Sequence, residues 1–434
     1  MTHTLQHSAT IALMSCGGLF EDFFDTVNVS LEKLRTEQTG GWMFNYIDAL
    51  KLAEVQTILF FVSGRVDEVV KFKHEPTGAT VCILPAPPLH QMFRRIACQF
   101  AFPQFKLLDK IGNRLIKSLD SYFVLPVALL KQELKQQNCC AILFQDYHNP
   151  SFDICVFLGR IMRLPVFATF QGGFAPSSFL ELPTRLAALH LCQGLIIASQ
   201  TEAQQVHHKY WVPLKKVSPI FNPMDATTWR KLDCEAIRNE LGIPLEAKVI
   251  IYHGRMEIQK KGLDVLLDAW QKICDRRPDL TLRLLLVGTG TDAPALQQKI
   301  ARENLRDIVW INEYIRDRNA IQRYLSVADV YTLPSRHEGF PVAPLEAMAC
   351  SLPVVATNVQ GIPEILESGE MSGGLIVPID DVEALAAALE SILDNEVWAK
   401  ELGRRARERV ERYFSFELIG QQMRSFLLNQ DLPN

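Results

Sequence analysis

One stretch of the C-terminal half reads Val330-Tyr-Thr-Leu-Pro334-Ser-Arg-His-Glu338-Gly-Phe-Pro-Val-Ala-Pro344-Leu-Glu346-Ala-Met-Ala-Cys350. Its first four residues form a short apolar run that predicts a strand. Pro344 stands where a helix would begin, because the missing N–H of proline costs nothing in the first turn. Glycine and proline between the two predict an irregular loop. The stretch therefore predicts strand, loop and helix, the repeating unit of an α/β sheet.

The same alternation of apolar runs, turn residues and segments of helical spacing extends in both directions. In the N-terminal half the runs are 10–15, 57–62, 141–144, 164–170 and 195–198, and a helix is predicted over 20–34. In the C-terminal half the runs are 248–252, 282–287, 308–311, 330–333 and 354–356. Because these runs are continuously apolar, we predict parallel strands covered by helices on both faces.

Proline and asparagine interrupt the pattern between residues 219 and 225, which places a domain linker there. We therefore predict an α/β fold of two Rossmann-like domains that face one another across a cleft. Residues 1–221 would form the first domain and residues 222–413 the second. The segment 401–428 is predicted as two helices with a break at Phe414 and Ser415.

The composition excludes several classes of protein. With 434 residues, 48% of them hydrophobic, the chain can bury two sizeable cores and is not disordered. A net charge of -4 gives no field for a nucleic-acid backbone, so nucleic acid is not expected as a partner. Ten scattered cysteines without metal-ligand spacing predict free thiols in a reducing cytosol. No signal peptide or membrane-spanning run is found, so we expect a cytoplasmic protein.

The acidic residues of the opening stretch suit hydroxyl recognition. Glu346, early in the predicted helix, can accept two hydrogen bonds from vicinal hydroxyls such as those of a ribose. Glu338 could hold a second polyol, while Gly339 would let a phosphate approach the helix N-terminus. The alternative is that these carboxylates only compensate the helix dipole.

A second constellation is Tyr252-His-Gly254-Arg255-Met-Glu-Ile-Gln-Lys260-Lys261-Gly262. Arg255 leaves the end of a predicted strand and Lys261 precedes the next helix, so both cations can converge on one anionic group. Two such cations stabilise a departing diphosphate without a metal. A solvated basic turn is the alternative.

These motifs resemble the signature of retaining GT-B glycosyltransferases, in the large family that includes bacterial mannosyltransferases, sucrose synthases and glycogen-synthase relatives. The resemblance is carried by 338–340, by 345–358 with the following 361–364, and by the Gly-Arg and Lys-Gly pairs at 254–255 and 261–262. It implies that residues 1–221 bind the acceptor and residues 222–413 the nucleotide-sugar donor. It also implies that the C-terminal helix, 414–434, returns to the first domain.

The resemblance assigns site residues as well. The implied catalytic residues are Glu338, Arg255 and Lys261. The implied donor-binding residues are Gly17, Gly18, Gly254, Gly288, Tyr314, Gly339, Phe340, Pro341 and Glu346. A plain turn is the alternative for Gly17-Gly18 and for Gly288. Glu313 stands where relatives usually have glycine, which leaves the base of the nucleotide open.

Two residues of the first domain are implied contacts of the acceptor or the transferred sugar. Gln171 stands where many relatives have a histidine, and its amide can bond a hydroxyl but cannot titrate near neutral pH. His148 lies in the polar segment 145–150 after a predicted strand. For His148 a structural or merely exposed histidine is the alternative.

The implied reaction moves a hexose from a UDP-glucose or GDP-mannose type donor to a hydroxyl of a glycan, lipid or small molecule, with retention. It would follow a front-face route in which the leaving phosphate takes the acceptor proton. The sequence identifies no carboxylate nucleophile for a double displacement. It also contains no Asp-x-Asp motif, so no metal and no cofactor beyond the nucleotide sugar is expected. A nucleotide-sugar epimerase or hydrolase of related fold and a non-catalytic, glycosyltransferase-like binding subunit are the alternatives.

Residues 91–117 mix aromatic and basic side chains. One hypothesis is peripheral contact with an anionic membrane surface, at the inner membrane face. The other is an ordinary amphipathic helix in the acceptor domain.

Overall fold

A computed structural model of the chain describes residues 9–15, 18–27, 29–38, 41–99, 121–173 and 181–428. The chain divides into two compact α/β units. Unit 1 contains the described residues up to 38, 46–220 and 420–428, and unit 2 contains 41–45 and 221–419.

The division falls between Ile220 and Phe221, and the chain returns to unit 1 at Gly420. This return comes later than the expected residue 414, because Phe414 packs within unit 2. Its ring centroid lies 5.0 Å from that of Phe221, and its carbonyl accepts a hydrogen bond from the Met224 N–H at 2.7 Å.

The described part of unit 1 contains an eight-stranded sheet of order β3-β4-β2-β1-β5-β6-β7-β8. All neighbouring strands are parallel except β3, which pairs antiparallel with β4. The strands are β1 (Thr10–Met14), β2 (Gln56–Ser63), β3 (Val70–Lys73), β4 (Thr80–Pro85), β5 (Cys139–Phe144), β6 (Val166–Thr169), β7 (Gly194–Ile196) and β8 (Val217–Ser218).

The helices of the same region are short to medium in length. They are α1 (Phe20–Phe24), α2 (Leu31–Thr36), α3 (Trp42–Leu52), α4 (Pro88–Gln99), α5 (Val127–Gln136), α6 (Pro150–Met162), α7 (Glu181–Leu191) and α8 (Gln200–Tyr210). The single helix predicted over 20–34 is wrong. A second helix, α2, begins within this range because the Ser30 hydroxyl caps it by accepting a hydrogen bond from the Lys33 N–H at 3.2 Å.

The described part of unit 2 contains six parallel strands of order β11-β10-β9-β12-β13-β14. They are β9 (Lys248–His253), β10 (Leu282–Val287), β11 (Ile308–Ile311), β12 (Val330–Leu333), β13 (Val354–Thr357) and β14 (Gly374–Val377). The structure thus confirms the predicted bounds of β10, β11 and β12. It also confirms the prediction of buried parallel strands, since β9, β10 and β12 are buried along almost their whole length.

The helices of unit 2 alternate with these strands, and the last one continues into unit 1. They are α9 (Glu235–Glu240), α10 (Ile258–Lys261), α11 (Leu263–Arg276), α12 (Ala293–Arg302), α13 (Arg318–Ser326), α14 (Ala343–Ala349), α15 (Ile362–Ile365), α16 (Val382–Asp394), α17 (Glu396–Tyr413) and α18 (Phe416–Leu428). The predicted helix break at Phe414 and Ser415 is confirmed, because α17 ends and α18 begins on either side of it.

The strand order of unit 2 reverses direction between β9 and β12. The chain moves outward from β9 to β10 and β11, and then crosses back to place β12 on the other side of β9. In open α/β sheets the loops at such a switch point diverge and leave a crevice beyond the carboxyl ends of the strands. The loops after β9 and β12 flank this point.

In the part of the chain that the structure describes, no helix has the length and apolarity needed to cross a bilayer. Helix α4 covers the start of the aromatic and basic stretch 91–117, and the rest of that stretch, from 100 onward, lies outside the described residues. Its contact with a membrane stays a prediction.

The loop between α10 and α11 comes into backbone contact with the loop after β12. Gly262 has a φ of +62°, and a Cβ atom at this position would lie 2.0 Å from the carbonyl oxygen of Pro334. Only glycine fits such an approach. Because Lys261 precedes Gly262 and Glu338 follows Pro334, the contact brings two predicted site residues next to one another.

We expect Gly262→Ala to lower the free energy of unfolding by about 2–4 kcal/mol, since the methyl group adds a backbone clash to an unfavourable φ. Gly242→Ala is the matched control, because Gly242 has a φ of +65° with no atom within 4 Å of the added Cβ. The control should lose only about 1 kcal/mol. Urea denaturation of both variants measures the difference, and equal losses would contradict the contact with Pro334.

Candidate active site

Most of the predicted site residues lie at the carboxyl edge of the unit 2 sheet. Gly254 and Arg255 follow β9, Gly288 follows β10, and Tyr314 lies in the loop after β11. Lys261 ends α10, Glu346 lies on α14, and the loop between β12 and α14 contains Glu338, Gly339, Phe340 and Pro341. Parallel strands end at the same edge, so this clustering follows from the topology.

Glu338 is buried as an ion pair. Its Oε1 atom accepts hydrogen bonds from Lys261 Nζ at 2.7 Å and from Ser335 Oγ at 2.6 Å. The Lys261 and Glu338 side chains are only 13% and 8% exposed. Oε2 of Glu338 receives no hydrogen bond from any described residue. Glu338 thus has one oxygen held by the protein and one available for a further donor.

Glu346 is held in a similar way by a residue that the sequence did not reveal. His253 Nε2 lies 2.7 Å from Glu346 Oε2, and both side chains are largely buried. His253 is the last residue of β9, whereas Glu346 lies on α14, which follows β12. The one available signal was a histidine at the end of an otherwise apolar strand, directly before Gly254-Arg255.

Three cations gather at the end of β9 and in α10. Arg255 is half exposed and forms an ion pair with Glu257 at 2.7 Å. Burial and the nearby positive charges of Arg255 and Lys261 lower the pKa of Lys260. The three cations are therefore within electrostatic range of one another.

Glycine allows the ends of β9 and β10 to touch. Gly288 has a φ of +126°, and a Cβ atom there would lie 2.1 Å from the carbonyl oxygen of Gly254. The carbonyl of Gly288 also accepts a hydrogen bond from the indole N–H of Trp310 at 3.0 Å. Both glycines therefore shape the backbone beside Arg255.

The loop after β12 contributes its backbone and the Glu338 side chain. The ring of Phe340 stacks on Phe221 at 5.3 Å, and its carbonyl accepts the Asn222 amide at 3.0 Å. Pro341 is buried as well. A donor role for Gly339, Phe340 and Pro341 would therefore rest on backbone atoms. Helix α14 is only seven residues long, and its first residue is Ala343, with Pro344 following.

The remaining predicted residues belong to unit 1. Gly18 follows β1, and Gly17 lies outside the described residues. Gln171 is half buried, and its amide lies 3.4 Å from both the Tyr46 hydroxyl and the Thr169 hydroxyl. His148 is the fourth residue in this group.

His148 is not an exposed loop histidine. Its ring packs against Tyr147, with centroids 4.1 Å apart and ring planes tilted by 35°. It lies between two carboxylates, with Nδ1 at 3.5 Å from Asp146 and Nε2 at 3.7 Å from Glu202. These separations are too long for hydrogen bonds. Its contact with an acceptor or sugar stays a prediction, as does that of Gln171.

Within the described residues, no group of three His, Cys, Asp or Glu side chains converges as metal ligands would. The carboxylates of the site pair instead with Lys261 and His253.

Comparison with known proteins finds a family and several relatives that match the part of the chain containing this sheet edge. Residues 247–395 match the family described as Glycosyl transferases group 1. N-acetyl-alpha-D-glucosaminyl L-malate synthase of Bacillus anthracis is 29% identical over 308 residues, which cover 69% of this chain and 77% of that protein. Alignments with further curated relatives cover between 45% and 66% of their lengths.

Solved structures resemble the chain over nearly its full length. Sucrose-phosphate synthase from Thermosynechococcus elongatus has a TM-score of 0.68 at 22% identity, covering 96% of this chain and 97% of that one. Anabaena HepE in complex with UDP-glucose has a TM-score of 0.67 at 17% identity, covering 95% and 98%. At these identities the likeness establishes the fold.

The Lys261–Glu338 pair provides a direct test of the site geometry. Lys261→Met should lower the free energy of unfolding by about 3 kcal/mol, because it leaves a buried carboxylate without its cation. Adding Glu338→Gln should recover most of this loss, since the neutral amide needs no counter-ion. The double variant is measured beside both single variants by urea denaturation.

Lys400→Met is the matched control, because Lys400 pairs with Glu396 at 2.6 Å while 76% of the lysine side chain is exposed. It should cost far less than Lys261→Met, because water screens an exposed pair. If Lys261→Met were no more costly than Lys400→Met, the buried pair would be contradicted.

Proposed function

We propose that the chain is a retaining hexosyltransferase that uses a nucleotide-diphosphate sugar; the premise is that residues 247–395 match the glycosyl transferases group 1 family and that the chain has the GT-B fold. The observation that supports the proposal most strongly is the meeting of Arg255, Lys260 and Lys261 with Glu338 and Glu346 at the switch point of unit 2. Cations suit a diphosphate, and carboxylates suit the hydroxyls on either side of it.

Each group has a distinct part in the proposal. Arg255 and Lys261 neutralise the diphosphate, and Glu346 accepts hydrogen bonds from the ribose hydroxyls. Glu338 accepts a hydrogen bond from a hydroxyl of the transferred hexose through its unoccupied Oε2. The backbone of 339–341 lines the same pocket. The assigned roles of Gly17, Gly18, Tyr314, His148 and Gln171 stay predictions.

The proposed step is a front-face displacement. The bond between the sugar C1 and the β-phosphate oxygen breaks, and the acceptor oxygen forms a bond to C1 on the same face. The acceptor proton passes to the departing phosphate. Negative charge grows on that phosphate as the bond breaks, so fixed cations stabilise the transition state more than the ground state. The proposal assigns charge neutralisation to these side chains and requires no cofactor.

UDP-glucose is the proposed donor, with GDP-mannose as the alternative. Support comes from the fold shared with Anabaena HepE, which was solved with UDP-glucose. The proposed acceptor is a hydroxyl of a glycan, a lipid or a small molecule.

The donor assignment is tested by thermal unfolding of the protein with UDP-glucose, GDP-mannose and ADP-glucose. A donor that binds only the native state stabilises it by about 2.7 kcal/mol at 100 times its Kd, so the melting temperature should rise with UDP-glucose and less with the other two. No rise with any of the three would overturn the proposed function. The anomeric configuration of the product, read by NMR, then tests retention.

Arg255→Ala should lower kcat/KM for release of the nucleoside diphosphate about 100-fold, through kcat as well as KM, because the lost charge acts on the leaving group. Arg323→Ala is the control, since Arg323 is 45% exposed, compared with 49% for Arg255, and pairs with a single carboxylate, Glu240. The control should retain wild-type kinetics. An Arg255→Ala enzyme with unchanged kcat would contradict the assigned role.

A further inference from the structure

His253 is a buried imidazole whose place in the fold needs an explanation. It lies at the carboxyl end of the central strand β9, directly after a run of apolar residues. A buried polar group without full hydrogen bonding costs stability relative to an apolar side chain of similar size. An apolar residue would therefore serve the sheet better, which points to a role outside packing.

The hydrogen bonds of His253 show what the imidazole is used for. Nε2 contacts Glu346 Oε2 at 2.7 Å, and a carboxylate can only accept, so Nε2 carries the hydrogen. Nδ1 is buried and has no hydrogen-bond partner among the described residues. The hydrogen bond to Glu346 is thus the one polar contact that the structure gives this ring.

The ring is itself fixed. The strand backbone is held at this point, because His253 pairs in register with Val287 and the following Gly254 N–H donates to the Val287 carbonyl at 3.0 Å. The Tyr331 ring packs edge-on against the imidazole, with centroids 5.3 Å apart and planes at 61°. The direction of the Nε2–H bond is therefore set by β9 and β12.

We propose that His253 is a positioning residue that orients the Glu346 carboxylate, so that its free oxygen meets the ribose hydroxyls of the donor nucleotide. Oε1 of Glu346 receives no hydrogen bond from any described residue, while Oε2 is held by His253. Without His253 the carboxylate can rotate about its side-chain torsions, and the hydroxyl contact loses its fixed geometry. The inference rests on the proposed function, because it takes a ribose as the group that Glu346 binds.

The test is the preference for ribose over 2′-deoxyribose. Dissociation constants are measured by isothermal titration calorimetry for UDP and 2′-deoxy-UDP, with GDP, ADP and their 2′-deoxy forms in parallel. The wild-type protein should prefer the best ribonucleotide over its deoxy form about tenfold, as expected for one hydrogen bond to a charged acceptor. Glu346→Gln should reduce the preference to about twofold or less.

His253→Leu should reduce the preference to the same level as Glu346→Gln, and the double variant should show no further loss, because the two residues act through one contact. His253→Gln should keep most of the preference, since its amide can still donate to Glu346. A preference of about tenfold in His253→Leu, with Glu346→Gln reduced, would overturn the role of His253. A loss in His253→Gln equal to that in His253→Leu would overturn it as well.

Other outcomes separate this inference from the proposed function. If none of the three nucleoside diphosphates bound to the wild-type protein, the proposed function itself would fail. If Glu346→Gln kept the wild-type preference, the ribose assignment of Glu346 would fail, and the inference with it. Far-UV circular dichroism and melting temperature verify that each variant is folded, and the ratio of two ligands in one variant cancels a uniform loss of active protein.

Discussion

The site depends on the buried ion pair between Lys261 and Glu338. Removing an unpaired carboxylate from water costs several kcal/mol, so such a group is tolerated only with a cation and hydrogen bonds close by. Lys261 and Ser335 supply both, and both meet the same oxygen. Since Lys261 ends α10 and Glu338 lies in the loop after β12, the ion pair also fixes two segments that are far apart in the sequence. The backbone contact of Gly262 with Pro334 makes this pairing possible.

The charges around this pair are nearly balanced. Three cations, Arg255, Lys260 and Lys261, lie near two carboxylates, Glu257 and Glu338, which leaves a single positive charge. An exposed ion pair is weak, so Arg255 can leave Glu257 for a phosphate at little cost. Separating Lys261 from Glu338 costs more free energy, because that ion pair is buried. The ammonium group of Lys261 has three hydrogens, however, and can add a phosphate contact while it keeps the carboxylate. The two cations are therefore unequal: Arg255 can move, and Lys261 stays in place.

How much of the fold could be predicted from the sequence depended on how far apart in the chain the interacting residues lie. Strands such as β10 and β12 were predictable because a buried parallel strand is a continuous apolar run. The edge strand β3 was not, since its residues alternate between half-buried and exposed and leave no such run. The helix over 20–34 was predicted from spacing alone, and the cap at Ser30 that divides it is a single hydroxyl. The local sequence pattern therefore predicted a strand correctly where all residues of the strand are buried to a similar extent.

The same difference between local and long-range interactions decides which site residues could be predicted. The positions of Arg255 and Glu338 followed from motifs, because each motif lies in one loop. The pairing of His253 with Glu346 did not, because it joins two loops across the switch point, and nothing near His253 in the sequence predicts a carboxylate. The order of the strands decides which loop ends meet, and that order is a property of the whole sheet.

The number of hydrogen bonds on each carboxylate agrees with the proposed binding roles of Glu338 and Glu346. In unit 1, Asp146 uses both oxygens on backbone N–H groups: Oδ1 accepts from His148 at 2.9 Å, and Oδ2 accepts from Gly173 at 2.9 Å. A carboxylate saturated in this way fastens two loops and has little capacity for a ligand. Glu338 and Glu346 differ, because each has one oxygen anchored and the other without a hydrogen bond from the described residues. An anchored but unsaturated carboxylate is preorganised for a hydroxyl, since its orientation is fixed before the ligand arrives.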